Sequence, residues 1–251
     1  GIFPRMVDWN LDGKLDLLAG IGNGTVKIFL NIGTKTNPLF DPGTDLTFGP
    51  TSKVTLDVGD RATPSLADWN NDGKRDLIVG AMDGKVRSYI TEGTDSSPDY
   101  RTVQIIQSNG ADLIVAPTTG GGRSSPVVVD IDGDGRKDLI VGNYEGYLYF
   151  YRNTGTDAAP VVAVGINLLA KGQMMELVVA RSRPFVCDCN RDGRLDMLVG
   201  ATAEGIAATG AARVVVAGGV SANGRLREKM AALGESTGVE VLFPPMRLCT
   251  D

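Results

Sequence analysis

Short apolar runs alternate with glycine-rich polar stretches along most of the chain, and one phrase of the pattern recurs four times. It reads PRMVDWNLDGKLDLLAG from Pro4, PSLADWNNDGKRDLIVG from Pro64, PVVVDIDGDGRKDLIVG from Pro126 and PFVCDCNRDGRLDMLVG from Pro184. The lead prolines recur about every 60 residues, and the closing glycines keep the same intervals. Self-similarity at a fixed period indicates an array of structural repeats.

Each repeat predicts several short strands separated by turns. One strand precedes the acidic stretch, a second follows it at Leu17–Ala19, Leu77–Val79 and Leu139–Val141, and a third lies at 25–30, 85–90 and 147–152. A less regular stretch such as Lys53–Val58 could supply a fourth strand. Four antiparallel strands in a unit of this length are typical of a propeller blade.

The third strands carry apolar residues on both faces, as a sheet stacked between two neighbours requires. Val26 and Ile28 point one way, while Phe29, Tyr89 and Tyr151 occupy one aligned position that points the other way. Tyr147, Tyr149 and Tyr151 alternate along one strand. They could stack on sugar rings, but packing between blades is the favoured interpretation.

The fold class is therefore all-β, with β-propeller blades: three complete four-stranded repeats and a partial fourth. The blades are expected at about 1–60, 61–122, 123–180 and 181–204, so the repeat region covers 1–204. Closed propellers contain four to eight blades. The array either barely reaches this range or is open at one edge.

Each repeat contains an acidic loop of the form DxNxDGxxD or DxDxDGxxD. Oxygen-bearing side chains at loop positions one, three, five and nine, glycine at six and a carbonyl at seven would suit a hard cation. The side chain at position seven can stay in solvent. The candidate metal ligands, with Lys and Arg acting through the backbone carbonyl, are Asp8, Asn10, Asp12, Lys14, Asp16, Asp68, Asn70, Asp72, Lys74, Asp76, Asp130, Asp132, Asp134, Arg136, Asp138, Asp188, Asn190, Asp192, Arg194 and Asp196.

Calcium is the expected ion, with up to four bound, because a flexible loop of many oxygens accepts irregular coordination. An EF-hand is excluded, since loop position twelve is Ala19, Val79, Val141 or Val199 instead of glutamate. The alternative is that the loops are ordinary hairpin turns. Four in register, each with closely spaced carboxylates, favour the ion, and the loop from Asp130, with four aspartates, should bind it most tightly.

The loop, the D-L-x-x-G that follows it and the later N-x-G-T resemble the FG-GAP/VCBS repeats of integrin-like and bacterial surface propellers. The resemblance implies calcium-stabilised blades in an extracellular, cell-surface or periplasmic protein that binds protein or carbohydrate. It does not imply an enzyme. Because the chain begins at Gly1, we interpret it as a fragment or processed product, and it carries no leader sequence.

Composition narrows the possible functions further. The formal net charge of −5 disfavours nucleic acid as a partner, and no apolar run is long enough to cross a membrane. The chain has no histidine, which excludes serine–histidine and cysteine–histidine hydrolase mechanisms. Cys187 and Cys189 occupy positions that are apolar in the other repeats, so we interpret them as small packing residues rather than as a metal pair.

The pattern breaks after Gly200, and 205–251 has the texture of an α/β fragment. Strands are predicted at 213–217 and at Val239–Phe243, with a helix over Asn223–Leu233 between them. The segment VVVAGGVSANGRLREKM and the terminal FPPMRLCTD resemble the C-terminal part of the tRNA threonylcarbamoyladenosine transferase family, which has an actin-like ATPase fold.

That second resemblance implies nucleotide binding at Gly218, Gly219 and Asn223 and a metal ligand at Asp251. Without histidine, the chain cannot supply the family's metal-binding histidine pair. We therefore expect the segment to be inactive as it stands, and interpret it as a gene fragment or junction artefact.

Three functions follow from the sequence. The leading one is an extracellular calcium-stabilised interaction or adhesion module, and the alternative is a fragment of a tRNA-modifying enzyme fused to the repeats. A polysaccharide-active enzyme on a propeller scaffold is the third, but no convergent set of acid and base residues stands out beyond the acidic loops.

Overall fold

A computed structural model describes residues 1–115, 122–170, 173–174, 182–188, 193, 195–200, 213–215 and 240–242. Within these ranges the chain forms strands and turns and contains no helix. The all-β class predicted for the repeats is confirmed.

The first blade is a four-stranded antiparallel sheet in sequential order. Its strands are β1 (Ile2–Val7), β2 (Asp16–Ile21), β3 (Val26–Phe29) and β4 (Thr44–Asp45). The predicted second and third strands are confirmed. Both faces of β3 are covered to some degree, since Val26 and Ile28 are buried and Phe29 is half-buried.

The second blade contains six strands in the order β6-β5-β10-β9-β8-β7. They are β5 (Thr47–Phe48), β6 (Val54–Thr55), β7 (Thr63–Ala67), β8 (Asp76–Gly80), β9 (Val86–Thr91) and β10 (Tyr100–Ile105). The suggestion that Lys53–Val58 supplies the fourth strand is confirmed only at its end, where Asp57 forms an isolated bridge with Thr25 beside β3. Thr44–Asp45 forms the fourth strand, whereas Val54–Thr55 pairs with β5, which joins the second blade by a parallel bridge between Phe48 and Tyr100.

The third blade repeats the four-stranded order, and the fourth is described as one hairpin. The strands are β11 (Gln107–Ser108), β12 (Ala111–Asp112), β13 (Ser125–Val129), β14 (Asp138–Gly142), β15 (Leu148–Tyr151), β16 (Ile166–Asn167), β17 (Leu169–Ala170), β18 (Gln173–Met174), β19 (Arg183–Cys187) and β20 (Asp196–Gly200). Strands β11–β12 and β17–β18 form small separate hairpins.

The first two strands of all four blades keep one register, which makes the repeats equivalent in structure as well as in sequence. Each lead proline pairs with the residue before the closing glycine. The pairs are Pro4–Ala19, Pro64–Val79, Pro126–Val141 and Pro184–Val199.

Near the C-terminus, β21 (Arg213–Val215) pairs in parallel with β22 (Glu240–Leu242). These strands fall on the two predicted there. Parallel neighbours need a crossover connection between them, in keeping with an α/β segment. The predicted helix at Asn223–Leu233 lies outside the described residues.

The apolar core lies between neighbouring blades. Side chains from one face of the first blade, including Trp9 and Leu18, pack against Leu77, Val79 and Tyr89 of the second. The opposite face of the second blade continues the pattern. There Trp69 and Ile78 meet Leu139, Val141 and Tyr151 of the third blade, with Tyr149 packed at the edge. Packing between blades is thus confirmed for Tyr149 and Tyr151.

The closing glycines of the first three phrases lie directly against the backbone of the next blade. A Cβ atom at Gly20 would lie 1.9 Å from the carbonyl oxygen of Ala62. At Gly80 and Gly142 it would lie 2.2 Å from the carbonyl oxygens of Ser124 and Ser182. Glycine in a strand often marks such a close backbone approach. The D-L-x-x-G motif therefore encodes the contact between successive blades.

Buried serines fasten the second and third junctions. Ser124 Oγ accepts a hydrogen bond from Ala81 N at 2.9 Å and donates to Lys85 O at 2.6 Å. Ser182 Oγ repeats both bonds, with Asn143 N at 2.8 Å and Tyr147 O at 2.6 Å. The fourth blade consequently docks on the third in the same way as the third docks on the second.

The described part of the chain contains no helix that is long and apolar enough to cross a membrane.

Gly80→Ala should destabilise the protein by about 3 kcal/mol, the upper end of the usual cost of overpacking, because the backbone of Ser124 cannot easily move away. Urea unfolding in EGTA measures the effect. Gly110→Asn is the matched control, since Gly110 has open space around it and a φ of 78° that asparagine tolerates. Equal unfolding free energies for Gly80→Ala and wild type would contradict the assignment of this junction.

Candidate metal-binding loops

Loop position one closes each acidic loop onto its own glycine. The carboxylates of Asp8, Asp68, Asp130 and Asp188 accept hydrogen bonds from the amides of Gly13, Gly73, Gly135 and Gly193 at 2.9, 3.0, 2.9 and 2.9 Å. The turn is tight because each of these glycines has a φ between 80° and 84°, where a Cβ atom is strained.

Loop positions three and five form a nested turn inside this closure. Asn10 Oδ1 accepts the Asp12 amide at 3.1 Å, and Asp12 Oδ1 accepts the Lys14 amide at 2.9 Å. The loops from Asp68 and Asp130 repeat both bonds. The oxygens at positions one, three and five are thereby held on one short arc of chain.

The aspartate at position nine, predicted only as a metal ligand, also accepts hydrogen bonds from backbone amides. Asp16 is fully buried, and its two oxygens accept the amides of Trp9 and Asn31 at 2.8 and 2.7 Å. Asp76 accepts the amides of Trp69 and Thr91, both at 2.9 Å. This aspartate ties the acidic loop to the end of the third strand in its own blade.

Asp138 holds the same position in the third loop but is bonded differently. Its Oδ1 accepts the Asn153 amide at 2.8 Å, while its Oδ2 is buried without a hydrogen-bond partner among the described residues. Burial raises the pKa of Asp138, and it does the same to the pKa of Asp76. A cation would compensate the buried charge at either place.

The donor set fits a calcium ion most closely in the third loop. Oxygens of Asp130, Asp132 and Asp138 lie within 4.8 Å of one another, and this is the one such acidic group in the part of the chain that the structure describes. In the first loop, Asp8 Oδ1 is buried without a hydrogen-bond partner. Buried carboxylate oxygens without donors are suited to a hard cation.

The described side chains at position seven stay partly exposed to solvent, as the sequence had suggested, but they also pair with the acidic loop. Lys14 Nζ lies 3.0 Å from Asp12 Oδ2 and donates to Asn31 O at 2.6 Å. Arg136 forms an ion pair with Asp134. Arg152, from the end of the third strand, adds contacts of 2.9 Å to Asp132 and 3.0 Å to Asp134. These cations offset part of the carboxylate repulsion.

The cations at loop position eight, for which no role was predicted, link neighbouring loops. Arg75 in the second loop donates to the carbonyl oxygens of Asp8 and Trp9 in the first loop, at 2.8 and 3.2 Å. Lys137 in the third loop donates to Asn71 in the second at 3.1 Å. The recurrence of a cation after loop position seven was the available signal, but its target lies one repeat away.

The N-x-G-T turn supports the loop from outside. Asn31 Oδ1 accepts the amides of Gly33 and Leu39 at 3.0 and 3.1 Å, and Asn153 Oδ1 accepts those of Gly155 and Val161, both at 3.0 Å. The motif thus positions the amide that binds Asp16 or Asp138.

Several predicted site residues cannot be placed. In the fourth loop, Asp188 is exposed, whereas Asn190, Asp192 and Arg194 and the side chain of Asp196 lie outside the described residues. The same holds for Gly218, Gly219, Asn223 and Asp251. Cys187 is disulfide-bonded, a bond that the sequence analysis did not predict.

A family model for the FG-GAP-like repeat matches residues 8–79, 68–141 and 130–199. Each match begins at one acidic loop and ends in the strand that follows the next acidic loop, so it spans two successive loops of the array. The chain belongs to the FG-GAP-like repeat family.

A second family model, that of tRNA N6-adenosine threonylcarbamoyltransferase, matches residues 186–251 and therefore overlaps the last part of the FG-GAP-like repeats. Proteins of that name from Francisella philomiragia and Salinibacter ruber are 41% and 42% identical over 66 residues. These matches cover 26% of this chain and 20% of each relative. The one from Thiobacillus denitrificans is 47% identical over 57 residues, 23% of this chain and 17% of the relative. The chain spans about a fifth of the length of the curated relatives it matches.

Among solved structures, a lectin from Agrocybe aegerita that recognises non-reducing terminal N-acetylglucosamine aligns with 79% of this chain and 46% of its own. The identity is 19% and the TM-score 0.44, so we build no argument on this likeness.

Leu11→Asn should stabilise the chain by about 1 kcal/mol, because Leu11 has a φ of 59° in the left-handed region, where asparagine is favoured. The aligned residue Asn71, with a φ of 58°, provides the reverse substitution. Asn71→Leu should cost about the same amount. Urea unfolding of both variants in EGTA tests the pair, and shifts of the same sign would contradict the equivalence of the two loops.

Arg75→Met should cost about 2 kcal/mol, since it keeps the aliphatic stem but removes the donors that bridge the first two loops. Lys74→Met is the control. Lys74 Nζ lies 4.0 Å from Asp72 at the surface, and its loss should change the unfolding free energy by less than about 0.5 kcal/mol. Equal effects of the two substitutions in urea unfolding would remove the proposed link between loops.

Proposed function

We propose that this FG-GAP-like repeat protein is a calcium-stabilised interaction module that binds protein or carbohydrate in an extracellular, cell-surface or periplasmic setting. The observation that carries the proposal is the acidic loop, whose backbone geometry recurs across the array and whose third copy gathers three carboxylates. The family match supports the blade architecture on which these loops occur.

Calcium would act on stability through the loops' attachment to the blades. The residues proposed to hold it are the side-chain oxygens at positions one, three, five and nine and the carbonyl at seven. An ion held between positions one and nine would join the start of the acidic loop to the aspartate that binds the third strand. Binding of an ion to the folded state alone stabilises it by mass action. Such short, partly exposed loops suit the millimolar calcium concentrations found outside cells.

A groove beside β10 of the second blade offers space for a ligand. It has a volume of about 810 Å³. Its lining combines apolar residues with amide and acidic side chains, among them Val103, Gln104, Gln107, Asn109, Asp112 and Val161. Sites for small organic ligands commonly combine apolar walls with a few convergent polar groups. The groove supports binding rather than catalysis, although it does not distinguish a sugar from a peptide.

A second candidate function rests on the match of residues 186–251 to the threonylcarbamoyltransferase family. The matched segment amounts to about a fifth of the relatives' length, and the chain contains no histidine for the metal pair that the family resemblance implies. We propose that the segment has no transferase activity as it stands. Threonylcarbamoyl transfer to tRNA by the purified 251-residue chain would overturn this.

Calcium at about 10 mM should raise the free energy of unfolding by about 3 kcal/mol for each loop that binds with a dissociation constant near 0.1 mM, relative to the value in EGTA. Thermal unfolding followed by far-UV circular dichroism measures the shift, and magnesium at the same concentration should have a smaller effect. Equal melting temperatures in calcium and in EGTA would mean that the acidic loops are ordinary turns that bind no ion.

Asp130→Asn together with Asp132→Asn should remove one bound calcium per chain, counted by isothermal titration calorimetry. Asp112→Asn is the control for charge, because Asp112 is an exposed aspartate outside the loops that pairs with Lys85. Loss of an ion from the control as well as from the loop variant would argue against binding in the third loop.

A further inference from the structure

The first strand of each blade, β1, β7, β13 or β19, is called its inner strand here. The inner strands of the first, second and fourth blades all contact one side chain, that of Arg5. Arg5 lies on β1, and its Nε donates to Pro64 O on β7 at 3.4 Å. Its Nη2 donates to Pro184 O on β19 at 3.2 Å. The same guanidinium lies 5.7 Å from the ring centroid of Phe185. The inner strands therefore surround a common axis, and Arg5 lies close to it.

A narrow cavity opens at this axis. It is lined by the four residues that precede the lead prolines, Phe3, Thr63, Ser125 and Arg183, together with Arg61 and Arg123. Its free space is about 310 Å³ including the open mouth, and the enclosed part, about 20 Å³, holds roughly one group of the size of water. The enclosed part therefore admits one oxygen-sized group, and the rest of a small ligand would lie in the open mouth of the cavity.

The charge around the cavity has one sign. Among the described residues that line it, the charged ones are the three arginines Arg61, Arg123 and Arg183, and Arg5 lies beside them. Burial and, after it, repulsion from Arg183 lower the pKa of Arg5 below its ordinary value. This concentration of positive charge contrasts with the formal net charge of −5 for the whole chain.

Two of these arginines are held in an unfavourable backbone conformation. Arg61 has a φ of 54° and Arg123 a φ of 48°, in the left-handed region where glycine and asparagine are favoured. They occupy the same repeat position, three residues before the lead proline, and the sequence has Arg181 at that position in the fourth repeat. A strained conformation retained with the same side chain in successive repeats is typical of a functional site.

The cavity and the acidic loops lie at opposite ends of the inner strands. Arg61 precedes β7, whereas the acidic loop from Asp68 follows it, and Arg123 stands in the same relation to β13. A ligand of the arginines would therefore be separate from any ion in the loops.

We propose that the axial arginine cluster, Arg5, Arg61, Arg123 and Arg183, binds one small oxyanion, a carboxylate, sulfate or phosphate group. Guanidinium groups bind such planar or tetrahedral anions through paired hydrogen bonds, and partial burial strengthens the interaction. The anion is either a free ion or the acidic group of a larger ligand that enters by the mouth of the cavity. In both cases it lies where the first and fourth blades meet.

Equilibrium dialysis of the 251-residue chain with radiolabelled inorganic sulfate, at constant ionic strength and in EGTA, tests the site. We expect saturable binding of one sulfate per chain. Acetate and glucuronate are the competitors. Similar displacement by both indicates a site for free anions, and much stronger displacement by glucuronate indicates a site for an acidic sugar.

Arg61→Asn is the decisive variant, because asparagine removes the charge while suiting the φ of 54°. We expect at least tenfold weaker sulfate binding together with unchanged or higher thermal stability. Arg101→Gln is the matched control. It removes one positive charge from an exposed arginine paired with Glu92 and Asp99 on the outer strand, and should leave sulfate binding unchanged.

Absence of saturable sulfate binding up to about 10 mM in the wild-type chain would overturn the proposal, as would equal binding by wild type and Arg61→Asn. Because the assay contains EGTA, either result is independent of calcium binding by the loops.

Discussion

The structure depends on the close backbone approach at the closing glycines. At Gly20, Gly80 and Gly142 the carbonyl oxygen of the next blade occupies the space that a side chain would need. This contact sets the distance between sheets, and the apolar clusters around Leu18 and Ile78 fill the space that remains. The same contact recurs at each described junction, so successive blades are related by the same displacement. This repetition brings the inner strands to a common axis.

Because the blades repeat the same arrangement, residues at equivalent repeat positions lie on the same surface of the array, and the two ends of the inner strands form two opposite surfaces. The acidic loops follow the inner strands. Arg61 and Arg123 precede β7 and β13, and Arg183 is the first residue of β19. Each surface is also tied into the blades. Asp16 and Asp76 connect the loops to the third strands, and Arg5 connects three inner strands. A ligand on either surface would therefore act on the stability of the array, not only on a local turn.

Much of this could be predicted from the sequence because it is local and repeated. The strands on either side of the acidic loop and the turn at Gly13 follow from spacing alone. The contacts missed join distant parts of the chain. Asp16 binds the amide of Asn31, Arg75 reaches Asp8 in another repeat, and Phe48 pairs in parallel with Tyr100. No periodicity within a repeat indicates such partners.

The repeats differ in the residue at loop position eight, so contacts between loops occur only between some neighbouring repeats. In the second and third repeats a cation at loop position eight accompanies an aspartate in the N-x-G-T turn: Arg75 with Asp95 and Lys137 with Asp157. Both cations reach back to the preceding loop. The first repeat instead has Leu15 and Lys35 at these positions, and Leu15 is exposed.

The fourth repeat also lacks the cation, since it has an exposed leucine, Leu195, at loop position eight. Cations at loop position eight therefore link the first three loops to one another. The fourth blade contacts its neighbours through Ser182 at the junction with the third blade and through Arg5 at the axis. The axial cluster lies where the first and fourth blades meet, and the sequence has leucine instead of a cation at loop position eight in both of these repeats. An anion bound there would act on the contact between the first and fourth blades, which calcium in the first three loops would not reach directly.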